Sequence, residues 1–214
     1  MHCSTPASSS RTKRSIAFRS WFGSDAGFPS DTQLVSPVLL ASATEPFVFK
    51  FAHAYSLEGD DVTLFDGGVI EASTDGGATW TDVADLGVDP GYTGALFDAS
   101  GNPLSGRLAY SATSPGFPAR LPVVLDFGTQ FAGQSVQLRF RIGTDAAASF
   151  SGWDIDDIEV SGITNTPFPT LVSEPSTCAA RKAADATSSV LATRGAPATS
   201  LDAFDAVCVS YDTP

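Results

Sequence analysis

The sequence predicts an all-β fold, an antiparallel two-sheet jelly-roll sandwich over residues 25–165, and three observations predict it. From Pro46 to Ser56 side chains alternate, with Phe47, Phe49, Phe51, His53 and Tyr55 in one phase and Val48, Lys50, Ala52 and Ala54 in the other. Five rings on one side of a strand make a core face. Gly67 to Trp80 reads as a hairpin, with Asp75-Gly76-Gly77 supplying positive-φ turn residues between two strand runs. The 19 Gly and 14 Pro punctuate the chain into short segments, which suits many short strands better than helices.

The elements follow in order. Met1 to Ser24 is rich in Ser, Thr and Arg and reads as a disordered leader. Leu34 to Leu40 (LVSPVLL) reads as an edge strand, because Pro37 cannot donate to a ladder on both sides. Pro46–Ser56 is the central aromatic strand, and Val69–Ser73 with Ala78–Asp82 form the hairpin. Asp89 to Leu104 is loop-rich, with turn signals at Asp89-Pro90, Ser100-Gly101 and Asn102-Pro103. Arg107–Ala112, Leu121–Phe127 and Ser135–Ile142 are strands. In the last, Val136, Leu138, Phe140 and Ile142 alternate with Gln137, Arg139 and Arg141, a half-exposed pattern. Trp153–Val160 closes the sandwich. Residues 166–214, dominated by Ala, Ser and Thr, read as a low-order tail.

Charge narrows the function. The net charge is −12, but residues 1–24 carry four bases and no acids, whereas residues 25–165 carry 19 acids against five bases. A body this acidic repels phosphate backbones, which argues against nucleic-acid binding. No apolar run is long enough to predict a transmembrane helix, and Met1–Ser20 lacks the apolar core of a signal peptide. Cys3, Cys178 and Cys208 lie outside the sandwich; Cys178 and Cys208 are free to pair across the tail in an oxidising compartment.

Catalytic signals are few. His53 is the one histidine beyond the leader and falls on the aromatic face, as a core histidine rather than a general base. Neither GxSxG nor HExxH occurs. Asp154 and Asp156 share a face, so a carboxylate-dependent glycoside hydrolase is one alternative. The closing strand suggests another chemistry. Trp153, Ile155 and Asp157 share a phase, whereas Ile158 and Val160 share the opposite one. Unless a bulge resets that phase, Asp157 points inward and needs a cation or several hydrogen-bond donors. Glu58, Asp60, Asp61 and Asp66 form a second acidic cluster after the aromatic strand. A structural Ca²⁺ held by Glu58 and Asp157 is therefore expected. The alternative is that Asp157 accepts hydrogen bonds from loop amides. Tyr92 and Phe97 in the Gly91–Phe97 loop either contact a glycan or peptide or pin the loop to the core.

Taken together, Phe49–Trp80 with its STDGGATW end, Gly91–Gly94 (GYTG), Asn102–Arg107 (NPLSGR), Ala132–Asp145 (AGQSVQLRFRIGTD) and Gly152–Ile163 (GWDIDDIEVSGI) resemble the MAM-like jelly-roll module. That module accompanies exported bacterial metallopeptidases of the immune inhibitor A and fungalysin types. The resemblance covers nearly all of Asp31 to Ile163. It implies a secreted or cell-surface, non-catalytic accessory role: substrate or surface binding to an extracellular protein or glycan, or packing against a peptidase domain. It also implies a cation near the inward Asp of the closing strand, which maps onto Asp157 with Glu58 as partner. The HExxH-bearing peptidase domain is missing here, so peptidase activity does not carry over. With no export signal at its start, the chain is expected to be a fragment or a mis-started reading frame; an orphan remnant without independent function is the last alternative.

Overall fold

The computed structural model describes residues 20–98 and 101–167. Among the described residues, nine of eleven strands build two packed antiparallel sheets, the sandwich expected from alternation, and one 3₁₀ turn follows the sixth strand. The first sheet runs β1 (Trp21–Gly23), β11 (Gly152–Ser161), β4 (Val48–Ser56), β9 (Leu121–Asp126). The second runs β2 (Ser30–Val35), β10 (Ser135–Thr144), β5 (Gly67–Ser73), β6 (Thr81–Asp82). The short β3 (Leu39–Leu40) also pairs with β10. β7 (Gly94–Ala95) and β8 (Leu108–Ala109) make a separate small ribbon.

Alternation decides what faces inward. Phe47, Phe49, Phe51, His53 and Tyr55 are all buried, and so are Val136, Leu138, Phe140 and Ile142 on the facing strand. Trp153 and Ile155 complete the interior from β11. Phe140 lies edge-on to Phe51 at 5.1 Å and to Trp153 at 5.5 Å between ring centroids, so the two sheets meet ring to ring. Gly68 lets β5 pass directly over the Trp153 ring, where any Cβ would clash. A satellite core of Val69, Leu96, Leu104 and Ala109 forms where the β7–β8 ribbon folds over the outer side of β5.

Some expectations need correction. The predicted edge strand 34–40 is two strands, β2 and β3, interrupted at Ser36–Pro37–Val38, and both lie on the same side of β10. The leader does not extend to Ser24. Trp21, Phe22 and Gly23 pair with Ile155, Asp154 and Trp153, and the Trp21 ring packs on Phe140 and Trp153. Composition hid this, because three apolar residues beside a basic Ser-rich run carry no periodicity. The remainder of the leader, the tail from Phe168 onward and all three cysteines lie outside the described residues.

The outer side of the second sheet carries a charge network. Glu71 is buried at its centre and accepts from Arg107 Nη1 at 2.8 Å and Arg139 Nε at 2.5 Å, with Arg141 Nη1 3.7 Å away. Burial acts to raise the Glu71 pKa, but the arginine hydrogen bonds outweigh it and leave the carboxyl below its usual value.

Candidate metal centre

Asp157 does not point into the core. The β4–β11 register passes from Asp156↔Ala52 to Glu159↔Lys50, three steps on one strand against two on the other, so β11 carries one extra residue. Asp157 takes a left-handed φ of 51° at this bulge and is exposed. Val160 pairs with the inward Phe49, so the bulge is what returns the strand to phase. The Glu58–Asp157 pairing is thereby corrected: Asp157 is not a core-facing ligand, and strict alternation placed it one residue out.

Glu58 instead meets other carboxylates at one end of the sandwich. Four element ends converge there: Asp25 just after β1, Glu58 after β4, Asp66 just before β5 and Asp145 just after β10. Glu58, Asp66 and Asp145 each bring an oxygen within 4.8 Å of the others. Asp25 is bound into the same knot, since its Oδ2 accepts from the Glu58 N–H at 3.1 Å and the Phe150 N–H at 3.0 Å. Asp66 Oδ1 accepts from the Asp145 N–H at 2.7 Å and from Asn102 Nδ2 at 3.2 Å. Asn102 also donates to the carbonyls of Phe65 and Gly143, which locks the loop against β10.

These donors leave part of the cluster unmatched. Asp66 is 0% exposed, Asp25 and Asp145 5%. Among the described residues, Asp66 Oδ2, Asp25 Oδ1 and Glu58 Oε2 are buried without a hydrogen-bond partner. An unpaired buried carboxylate oxygen is costly unless a proton or a cation meets it. Burial, reinforced by Asp25 and Asp145, pushes the Asp66 carboxyl up to about 8, and burial together with Asp145 also raises Glu58. The all-oxygen, all-carboxylate donor set suits a hard cation. One oxygen from each of Glu58, Asp66 and Asp145 lies within 4.8 Å of the others, close enough for a single cation with Ca²⁺–O bonds of about 2.3–2.6 Å to reach all three.

The other candidate residues are accounted for structurally. His53 is 2% exposed and its Nδ1 accepts from Trp153 Nε1 at 3.1 Å, while burial pushes its pKa down to about 4. It is a neutral core acceptor at pH 7. Asp154 and Asp156 both bind the Arg120 guanidinium, at 2.7 Å and 3.1 Å. Tyr92 pins its loop: its hydroxyl donates to Asp82 at 3.0 Å and accepts from the Ile70 N–H at 2.8 Å. Phe97 packs edge-on to Phe65 at 5.9 Å with about half its surface exposed. Asp25 and Asp145 were missed from sequence because each stands alone in its own segment.

No protein-family model matches the chain, and no curated protein matches it significantly. No helix among the described residues is long and apolar enough to cross a membrane.

Proposed function

We propose that this chain is a calcium-stabilised, non-catalytic β-sandwich module of an exported protein, which binds a substrate or surface or packs a neighbouring domain. The observation that carries this reading is the Asp25–Glu58–Asp66–Asp145 cluster, whose unmatched buried oxygens call for a cation. Extracellular modules hold Ca²⁺ with dissociation constants of about 10⁻⁴–10⁻³ M, so such a site fills where calcium is abundant. The resemblance to MAM-like modules of exported metallopeptidases, and an acidic body poorly suited to nucleic acid, point the same way. The ion's work is structural: it ties the ends of β4 and β10 to the start of β5, while Asp25 secures the segment after β1 to the same knot through the Glu58 and Phe150 amides.

Calorimetric and melting titrations with Ca²⁺ after chelation test this. With 5 mM Ca²⁺ and a dissociation constant of about 10⁻⁴ M, stabilisation is about 2 kcal/mol, or roughly 5–10 °C in Tm. Asp66→Asn should abolish the shift, whereas Asp157→Asn, at the exposed bulge, should keep it. Burial holds the Asp66 carboxyl above the usual carboxylate range, so binding should release protons and the measured heat should depend on the buffer. A wild-type protein without heat or Tm change, or an Asp66→Asn variant that retains the full shift, overturns the site.

A further inference from the structure

A second feature lies on the opposite side of the second sheet from the core. β6, the 3₁₀ turn Val83–Leu86 and β8 enclose an open cleft of about 500 Å³, lined by Glu71, Trp80, Thr81, Asp82, Asp85 and Arg107. That volume lies within the range of small-molecule sites. Its polar walls are held in place before any ligand arrives. Asp82 Oδ1 accepts from the Tyr92 hydroxyl and the Ala84 N–H, both at 3.0 Å, and its Oδ2 accepts from Arg107 Nη2 at 2.7 Å. Arg107 is fixed in turn by Glu71 at 2.8 Å. Trp80 is braced from one side by Arg139, whose Cζ sits 4.3 Å from the ring centroid, and Arg139 is itself locked to Glu71. Asp85 stands exposed on the 3₁₀ turn.

We infer that this cleft binds a neutral oligosaccharide, with Trp80 as the stacking platform and Asp82, Asp85 and Arg107 as hydrogen-bonding partners for its hydroxyls. The inference rests on the binding-module reading above and gives it a ligand class. A pyranose presents an apolar C–H face, which suits a rigid indole, and a rim of hydroxyls that each donate and accept. The cleft offers both complements, acceptors on the carboxylates and donors on a guanidinium that spends two of its five N–H groups on Glu71 and Asp82. Three carboxylates beside one guanidinium disfavour an anionic ligand. Arg107 within the cleft and Arg139 already stacked on Trp80 disfavour a cationic one. Preordered polar groups lose little entropy on binding, so even a small contact gives measurable affinity.

The test is a titration of the full chain in 5 mM Ca²⁺ with cellopentaose, laminaripentaose and xylopentaose, read by tryptophan fluorescence and calorimetry, with a tetra-arginine peptide in parallel. At least one sugar should bind in the micromolar-to-millimolar range. Trp80→Ala should weaken it about tenfold and Asp85→Ala a few-fold, with the calcium-induced rise in Tm retained in both. Three results overturn the inference: no sugar binding while the calcium shift persists, sugar binding indifferent to both substitutions, or binding of the peptide in place of the sugars. Loss of the calcium shift alone strikes the ion site and leaves the cleft to stand or fall on its own titration.

Discussion

Acidification from pH 7 to 4 should act on two buried groups with opposite sign, and His53 lets them be separated. His53 titrates near 6.5 in the unfolded chain but is pushed down to about 4 in the core. Between those values the unfolded state binds the proton and the folded state does not, so this residue's contribution is intact above 6.5 and falls away as pH drops to 4. A shift from 6.5 to about 4 corresponds to a loss of about 2 kcal/mol by pH 5 and about 3 kcal/mol by pH 4. The cause is burial of the ring, 2% exposed in a cluster that includes Tyr110 at 4.6 Å; protonating Nδ1 would in addition remove the acceptor that Trp153 Nε1 uses at 3.1 Å. Asp66 works the other way in chelator. Its raised carboxyl takes up a proton in the folded state first, so stability rises as pH falls from 8 toward 3.8. Wild-type stability alone therefore mixes the two. The assay is urea unfolding in EDTA at pH 7, 6, 5 and 4.5 for wild type and His53→Gln, which keeps an acceptor for Trp153 without a titrating ring. The difference between the two proteins should grow by about 2 kcal/mol in favour of the variant between pH 7 and 5. Parallel profiles would refute the buried, neutral histidine.

Two further outcomes follow from packing. Gly68→Ala drives a methyl group into the Trp153 ring and should cost about 1–3 kcal/mol, with an altered near-ultraviolet circular dichroism signal from the displaced indole; a change under about 0.5 kcal/mol would mean the ring is freely repositioned. Glu71→Ala leaves Arg107, Arg139 and Arg141 without their shared buried counter-charge and should cost toward the lower end of ~3–5 kcal/mol, because the guanidinium groups stay partly hydrated; a urea midpoint unchanged from wild type would rule this out.

Period-two alternation made the sheets legible. It marked β4 and β10, each with one side to bury and one partly solvated, and the ring-bearing face from Phe47 to Tyr55; β5 was legible instead from its hairpin turn and is buried along its whole length. The same rule misled at Asp157, since an inserted residue leaves no mark except a change of phase between Ile155 and Ile158. The carboxylate cluster was half legible. Glu58 and Asp66 stood in one acidic stretch, but Asp25 and Asp145 join them only through the closure of β1 on β11 and of β10 on β5. Trp80 looked like the end of a hairpin; its place in a cleft depends on Arg107, which arrives from another ribbon.

The carboxylates of the cluster come from positions 25, 58, 66 and 145, so no short stretch of the chain can assemble them. An unfolded polypeptide offers a cation only scattered single carboxylates. Nearly all the affinity of a bound Ca²⁺ would then accrue to the finished structure, and chain opening at the Glu58, Asp66 or Asp145 junction would have to break the coordination first. A domain closed in this way would resist proteolysis for longer in calcium-rich surroundings than in a chelating one, and its lifetime would follow the ion concentration around it.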